Sequence, residues 1–264
     1  MDFQFDTYET PPGTPQVLGD RLAMGSGAYF YSRFIGIILK SRWRVARGKY
    51  DRNAFIESGT DTLRLIEGCN GRFHITGIDH LRNCTEPVVF VSNHMSALEN
   101  NVFPGIIGQF KPFTFVVKES LLRYPVFGPL LASQNPIPLG RSDPRADLKL
   151  LMDEGCERLT KGISVLVFPQ GTRTNSIDPQ SFNTIGVKLA RKAGVNILPI
   201  AVKTDYWQNG ERFRDFGPIN RDQPIYIAFG EPILVSKNSR QAHQQALDFI
   251  SGYLTHWQNK ILNS

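Results

Sequence analysis

The pattern of hydrophobic and polar positions changes near residue 70. Before it, hydrophobic residues recur at helical spacing, which predicts helices within residues 21–68. From Arg72 onward, short runs rich in β-branched and aromatic residues alternate with stretches of helical periodicity. The predicted strands are RFHITG, VVFVSN, FTFVVK, ISVLVF, VNILPIAV and IYIAFG. The predicted helices between and after them are residues 96–108, 145–161, 184–194 and 238–258.

Strands that alternate with helices predict an α/β fold in which a central, mostly parallel sheet is flanked by helices. The run ISVLVF is hydrophobic at successive positions, as expected of a strand that is covered on both faces. Active sites in such sheets lie in the loops beyond the strand ends. Two loops therefore become candidates: SNHMSALE after the second predicted strand, and PQGTRT after the fourth.

The chain is long enough for one main globular unit with a smaller appendage. Residues 1–20 contain acidic residues and three prolines but no hydrophobic run, so we expect a flexible or loosely docked lead and not a signal peptide. Residues 21–68 form the predicted N-terminal helical region, and residues 69–264 the main domain. The three cysteines are widely spaced, which indicates a reducing compartment and neither a disulfide framework nor a zinc site.

The formal net charge of +6 favours an anionic partner, and part of it is concentrated after the hydrophobic residues 28–39. Six of the thirteen residues from 40 to 52 are basic: Lys40, Arg42, Arg44, Arg47, Lys49 and Arg52. No segment reaches the roughly 18–20 hydrophobic residues that a spanning helix needs. We therefore expect a helix that lies in a membrane interface and meets anionic lipids. An ordinary amphipathic helix packed on the domain is the alternative.

His94 and Glu99 are the candidate catalytic pair. On one straight helix their side chains would point about 140° apart, so they can meet only across a bend. With His94 in the turn and Ser96 capping a helix that contains Glu99, the carboxylate could reach the imidazole and make it an effective general base. The alternative is that Ser96 and Glu99 form only a capping box. Because the chain has no G-x-S-x-G elbow, such a base would activate a hydroxyl of the substrate.

The loop PQGTRT offers groups that suit a phosphate. Gly171 allows close approach of the backbone, Thr172 carries a hydroxyl, and Arg173 carries a forked cation. The loop lacks the spacing of a Walker motif. A plain surface turn is the alternative for this loop taken alone.

Together the two loops resemble a known family. The pattern NH-x-S-x-x-acid, followed about 75 residues later by FP-x-GTR, is similar to the lysophosphatidic acid acyltransferase (1-acyl-sn-glycerol-3-phosphate acyltransferase) family of glycerolipid acyltransferases. Residues 115–141 resemble the second family block and ILPIAV from Ile197 the fourth. The resemblance covers residues 72–231 and extends to the basic helices before them, which are similar to membrane-docking helices.

The resemblance implies a role for each matching residue. His94 takes the position of the catalytic base and Glu99 that of its paired acid. Basic residues expected to hold the acceptor phosphate are Lys118, Arg141 and Arg173, and Gln170, Gly171 and Thr172 belong to the same acceptor-binding block. The family has Asp at the position of Glu99 and Glu at that of Gln170. The second departure puts lysophosphatidic acid as the acceptor in question more than it affects the reaction type.

The implied reaction is acyl transfer from acyl-CoA or acyl carrier protein to a lysophospholipid hydroxyl at the cytoplasmic face of a membrane. It needs no metal and no cofactor besides the thioester co-substrate. The rivals are a non-catalytic lipid-binding protein of the same fold, an acyltransferase for another lysolipid, and a thioesterase. Nucleic-acid binding is not expected, because the basic segment has few interleaved aromatic residues. The other histidines, and Tyr206 with Trp207, are expected to serve packing or to lie at the surface.

Overall fold

An eight-stranded sheet forms the centre of the part of the chain that the computed structural model describes, residue 3, residues 5–235 and residues 239–262. The strands are β1 (Tyr8–Glu9), β2 (Phe73–Thr76), β3 (Val89–Ser92), β4 (Phe113–Lys118), β5 (Ile137–Leu139), β6 (Ser164–Val167), β7 (Ile197–Lys203) and β8 (Ile225–Phe229). Their order is β1-β2-β8-β7-β3-β6-β4-β5. Described neighbours pair in parallel except at β1–β2 and β7–β8. The mostly parallel α/β fold predicted from the sequence is confirmed.

Helices cover both faces of this sheet. They are α1 (Leu18–Leu22), α2 (Ala28–Ala46), α3 (Arg52–Gly68), α4 (Ile78–Asn83), α5 (Leu98–Ile106), α6 (Phe127–Ala132), α7 (Pro144–Thr160), α8 (Ile185–Ala193) and α9 (Ser239–Leu262). Because side chains alternate along a strand, β3 supplies two separate cores. Phe90 packs in the core that includes α2, α3 and α5, whereas Val89 and Val91 pack in the core of α7, α8 and α9.

All six predicted strands are present, and each predicted helix appears with shifted ends. Residue 238, the predicted start of the last helix, lies outside the described residues. The sequence missed β1 and β5, which are edge strands of two and three residues and too short to show a periodic pattern. Pro138 stands inside β5, where an edge position tolerates a missing N–H donor. The helical region 21–68 is divided into separate helices.

The expectation of a loosely docked lead needs correction for its described part. β1 pairs with β2, and Tyr8 and Thr10 donate hydrogen bonds of 2.6 and 2.7 Å to one carboxylate oxygen of Glu67. The lead also forms most of α1, whose Asp20 makes an ion pair of 2.5 Å with Arg221. The strand pairing and these polar contacts attach the lead to β2, to α3 and to the loop before β8. Residues 1, 2 and 4 of the lead lie outside the described residues.

Helix α2 shows two different faces. Phe30, Phe34 and Ile38 recur at four-residue spacing and are buried. On another face, Ile35, Leu39 and Trp43 recur at the same spacing and are exposed. Among the described residues, no helix combines the length and the hydrophobicity that crossing a membrane requires.

A close crossing of α3 and α5 sets the position of α5. A Cβ atom added to Gly59 of α3 would lie 2.9 Å from the Cα atom of Gly105 in α5, too close for any real contact. The two backbones therefore touch where both side chains are absent. This contact matters for the site because the first turn of α5 carries Glu99.

Candidate active site

Both candidate loops start at the carboxyl ends of neighbouring parallel strands, which form one edge of the sheet. β7, β3 and β6 are parallel neighbours, so their carboxyl ends lie side by side. His94 follows β3, Gln170 follows β6 and Thr204 follows β7. Asn93 fixes the first loop at its start, because its side-chain amide exchanges two hydrogen bonds of 2.8 Å with the backbone of Val202 in β7.

The structure brings His94 and Glu99 into contact. The distance from His94 Nδ1 to Glu99 Oε1 is 2.8 Å. A turn over residues 93–97 supplies the bend that the five-residue spacing requires, and Glu99 is the second residue of α5. Glu99 is fully buried, whereas the His94 side chain remains 13% exposed. The imidazole thus borders the open edge and its carboxylate partner does not.

The Glu99 carboxylate accepts hydrogen bonds from five donors. Besides His94, Oε1 accepts from the backbone N–H groups of Met95 (2.6 Å) and Ser96 (2.9 Å). Oε2 accepts from the hydroxyls of Ser96 (3.1 Å) and Thr204 (2.7 Å). Burial alone raises the pKa of the Glu99 carboxyl, but bonding to His94, Ser96 and Thr204 outweighs it and holds that pKa below its ordinary value of 4.5. Glu99 is therefore ionised at neutral pH.

Both interpretations of the Ser96 and Glu99 spacing hold at once. The bond from Ser96 N–H to Glu99 is half of a capping box, and Ser96 Oγ accepts from the N–H of Leu98 at 3.0 Å. The same carboxylate also contacts the imidazole. The helix begins at Leu98, two residues after its predicted start at residue 96.

The His94 ring has one nitrogen engaged and one available. An ionised carboxylate has no proton to donate, so Nδ1 carries the hydrogen in the bond to Glu99. No described residue bonds to Nε2, which is then free to accept a proton. The ring stacks on Phe168 with centroids 4.1 Å apart and planes at 19°. Phe168, just after β6, therefore fixes the plane of the ring.

Gln170 joins the two loops. Its Oε1 accepts a hydrogen bond of 2.7 Å from the backbone N–H of His94, and its Nε2 donates to Thr174 Oγ1 and to the carbonyl of Ser176. The backbone N–H of Thr174 donates to the carbonyl of His94 at 2.9 Å. The side-chain amide of Gln170 thus links the backbone of His94 to the loop after β6, and Thr174 makes a second link between the same two loops.

Arg173 is already paired. Its guanidinium lies 2.6 Å from Asp215 Oδ1 and 3.5 Å from Asn209 Oδ1, and its side chain is 16% exposed. The neighbouring Thr172 hydroxyl accepts a bond of 2.9 Å from Arg214. Gly171 has a φ of +68°, a left-handed conformation that favours glycine. The Arg173 guanidinium is therefore already paired with side chains of the loop over residues 205–220 in the absence of a ligand.

That loop was not predicted as part of the site. The nearest sequence signal was Tyr206 with Trp207, which are fully buried as packing residues. Trp207 Nε1 donates to the carbonyl of Asp215 at 3.1 Å and so helps to fix the acid that meets Arg173. Asn209 also donates to the carbonyl of Met95, which links the loop to the turn that holds His94.

Lys118 and Arg141 lie farther along the same edge. Lys118 ends β4 and pairs with Leu139 of β5, two residues before Arg141. Both basic residues are exposed, and neither side chain bonds to a described residue. β5 is three strands away from β3, on the order of 14 Å at the usual strand spacing. The structure thus aligns these two cations with His94 but does not bring them into contact with it.

Comparisons with known proteins show what this chain is similar to. Residues 72–203, half of the chain, match the family described as Acyltransferase. A 1-acyl-sn-glycerol-3-phosphate acyltransferase of Pseudomonas aeruginosa is 38% identical over 145 residues, which make up 54% of this chain and 54% of that protein. A chloroplastic 1-acyl-sn-glycerol-3-phosphate acyltransferase of Arabidopsis thaliana is 33% identical, with coverage of 50% and 36%. The chain spans about half the length of the first relative and less of the second.

A further relative and a solved structure extend the comparison. A lyso-ornithine lipid O-acyltransferase of Pseudomonas aeruginosa is 29% identical over 117 residues, 44% of this chain and 43% of that protein. The 1-acyl-sn-glycerophosphate (LPA) acyltransferase structure from Thermotoga maritima superposes with a TM-score of 0.63 at 18% identity, covering 88% of this chain and 92% of that chain. The structure supports the fold, and the relatives confirm the resemblance drawn from the sequence blocks.

The pKa of Glu99 predicts a pH-dependent contribution to stability. Because that pKa is lowered by folding, the stabilisation by the carboxylate is complete above its ordinary value of 4.5 and is lost as the pH falls through the lower folded value. Glu99→Gln should lower the free energy of unfolding by about 2–4 kcal/mol near neutral pH, since several buried donors lose a charged acceptor.

Urea denaturation of wild type and Glu99→Gln at about pH 7 and about pH 3.5 checks this, and the difference should shrink at the lower pH. The exposed Glu119 provides the control, because Glu119→Gln should change stability by less than about 1 kcal/mol. A Glu99→Gln difference that stays constant or grows at low pH would contradict the assignment of an ionised Glu99.

Proposed function

Because the chain belongs to the acyltransferase family, we propose that it is an O-acyltransferase that moves a fatty acyl group from a thioester to the hydroxyl of lysophosphatidic acid, 1-acylglycerol 3-phosphate. The observation that carries this proposal is the His94 imidazole held 2.8 Å from a fully buried carboxylate at the open edge of the sheet. The names of the relatives from Pseudomonas aeruginosa and Arabidopsis thaliana support the choice of acceptor.

The proposed chemistry is a direct transfer. His94 Nε2 accepts the proton of the acceptor hydroxyl while the oxygen attacks the thioester carbonyl of acyl-CoA or acyl carrier protein. The Nδ1–H bond to Glu99 stabilises the imidazolium that forms. The C–S bond then breaks, and the proton passes from His94 to the departing thiolate. No metal, cofactor or acyl-enzyme enters this sequence, and the co-substrate supplies the acyl group.

The proposed phosphate contacts come from the cations along the edge. Lys118 and Arg141 are exposed and unpaired among the described residues, so both can bind an anion without breaking another contact. Arg173 is less free, because Asp215 lies 2.6 Å from it. We therefore assign binding of the acceptor phosphate first to Lys118 and Arg141. Gly171 and Thr172, in the loop PQGTRT, are assigned to the same acceptor site.

The family that this chain resembles has Glu at the position of Gln170, and the contacts of Gln170 suggest what this difference affects. Its side-chain oxygen binds the His94 N–H, and its nitrogen binds Thr174 and Ser176. A glutamate could keep the first contact and accept from the Thr174 hydroxyl. Gln170 thus stabilises the backbone of the loop that carries His94. We assign recognition of the acceptor to Lys118 and Arg141 instead.

A second acceptor class is carried by a specific observation. The similarity to a lyso-ornithine lipid O-acyltransferase, together with the neutralised Arg173, fits a lysolipid without a phosphate. A non-catalytic lipid-binding role is less well supported, because the carboxylate, its donors and the free Nε2 form a complete base.

We further propose that α1 and α2 dock on the cytoplasmic face of a membrane that contains anionic lipids. Hydrophobic side chains exposed on this region are Leu18, Leu22, Met24, Ile35, Leu39 and Trp43. The Arg47 guanidinium lies 3.8 Å from the centroid of the Trp43 ring, a pairing that suits the boundary between lipid chains and phosphates. Such docking would bring the site to its lipid acceptor.

Replacement of the base tests the proposed function. His94→Ala should lower kcat by roughly 10²–10⁴-fold, the usual contribution of a general base. The measurement is lipid-product analysis with both thioester donors and with lysophosphatidic acid, lyso-ornithine lipid and 1-acylglycerol as acceptors. His256→Ala, at an exposed position of α9, serves as the control and should retain full turnover.

The preferred acceptor should be lysophosphatidic acid, since it alone in that panel combines a free hydroxyl with a phosphate monoester. Wild-type turnover by His94→Ala would overturn the assignment of the base. Release of free fatty acid without any acceptor would indicate a thioesterase, and the absence of thioester consumption would indicate a lipid-binding protein.

The membrane proposal predicts a loss of vesicle binding. Leu39→Glu and Trp43→Glu should each weaken flotation with vesicles that contain anionic phospholipid by about tenfold or more, because each places a charge where a hydrophobic side chain enters lipid. Leu234→Glu is the matched control, since Leu234 is 75% exposed and follows β8, which ends at the opposite edge. Equal binding by all three variants would contradict docking through α2.

A further inference from the structure

Arg141 has an unusual backbone conformation. It lies between β5 and α7 with a φ of +64°, in the left-handed region that residues with a side chain rarely adopt. An arginine has no local side-chain contact that would favour this region, unlike asparagine or aspartate. Another part of the protein must therefore hold the backbone in this conformation.

Asp147 provides that contact. Its Oδ1 accepts a hydrogen bond of 2.9 Å from the backbone N–H of Gly140, and its Oδ2 accepts one of 2.7 Å from the backbone N–H of Arg141. Both carboxylate oxygens thus bind consecutive N–H groups of the turn. Hydrogen bonds to an ionised acceptor are stronger than neutral ones, so the pair can offset the unfavourable φ.

The carboxylate is itself held by a regular element. Asp147 lies in the first turn of α7, where a negative charge is favourable. That helix starts with Pro144 and is capped by Asp143, whose side chain accepts from the N–H groups of Arg145 and Ala146. The start of α7 therefore holds the Asp147 carboxylate in place, and we call its two hydrogen bonds to Gly140 and Arg141 the clamp.

The Asp147 carboxylate binds the backbone of Arg141 and leaves its charge free. Arg141 is exposed, and among the described residues its guanidinium forms no ion pair with Asp147 or with any other side chain. This contrasts with Arg173, whose guanidinium is paired with Asp215 at 2.6 Å. Because Asp147 binds only the backbone, it fixes the backbone position from which the Arg141 side chain extends and does not neutralise the guanidinium charge.

We propose that Asp147 is a positioning residue, which holds Arg141 in its left-handed conformation so that the guanidinium is available to the phosphate of the lipid acceptor. This inference rests on the proposed function, in which Arg141 binds that phosphate. A cation held in one conformation loses less entropy when it binds than a freely moving one. The effect should appear in recognition of the acceptor and not in the chemical step.

The experiment compares Asp147→Ala with Asp143→Ala. Asp143 lies between Arg141 and Asp147 in the chain and caps the same helix. Its side chain accepts from the N–H groups of Arg145 and Ala146 and makes no hydrogen bond to Gly140 or Arg141 among the described residues. Steady-state kinetics are measured with lysophosphatidic acid and with phosphate-free 1-acylglycerol, alongside thermal unfolding. Asp147→Ala should raise KM for lysophosphatidic acid about tenfold with little change in kcat, and should lower its preference over 1-acylglycerol by the same factor.

Asp143→Ala should keep that preference although it weakens the helix start. Asp147→Asn keeps one acceptor oxygen and should restore part of the preference, which a loss of fold stability alone would not explain. Arg141→Ala is measured in parallel and should lose the preference as Asp147→Ala does.

Three outcomes would overturn the inference and separate it from the proposed function. If Arg141→Ala loses the preference and Asp147→Ala keeps it, Asp147 has no positioning role while the acceptor proposal stands. Equal losses in Asp147→Ala and Asp143→Ala would assign the effect to the helix start. An unchanged preference in Arg141→Ala would remove Arg141 from the acceptor site, and the inference would fall with that part of the proposed function.

Discussion

A buried carboxylate requires hydrogen-bond donors, and the rest of the site is arranged around that requirement of Glu99. Isolated in a nonpolar interior, its charge would cost several kcal/mol. Five donors offset this cost: four belong to the turn after β3, and the fifth is the hydroxyl of Thr204, the residue that follows β7. Thr204, Ser96 and His94 are therefore fixed relative to one another by one shared acceptor, and the parallel strands bring them to it.

The same carboxylate connects folding with the proposed chemistry. It starts α5 as half of a capping box, and it fixes the hydrogen on Nδ1 of His94 so that Nε2 is left able to accept a proton. Phe168 and Gln170 complete the arrangement from the neighbouring loop, one by stacking on the ring and the other by binding the His94 N–H. A base built in this way needs little rearrangement when it takes up a proton, which is the condition for efficient catalysis by a preorganised site.

Local patterns predicted what local interactions determine. The six strands with hydrophobic runs and the turn that joins His94 to Glu99 follow from residues close in the chain. The pairing of Arg173 with Asp215 joins residues 42 positions apart, and no periodicity or motif indicates it. The left-handed Arg141 was equally hidden, because its stability comes from a carboxylate on the next helix. The edge strands β1 and β5 were missed because pairing with a neighbour, and not their own composition, makes them strands.

The position of the hydrogen on the His94 imidazole tests this arrangement most directly. Long-range proton–nitrogen NMR of histidine-labelled protein in mildly alkaline solution distinguishes the two ring nitrogens, and the His94 signals are assigned by their loss in His94→Ala. A Glu99-bound ring should show a protonated Nδ1 and an unprotonated Nε2. A neutral ring with its hydrogen on Nε2 would contradict the arrangement, because neither the bond to Glu99 nor a base that faces the acceptor would then exist.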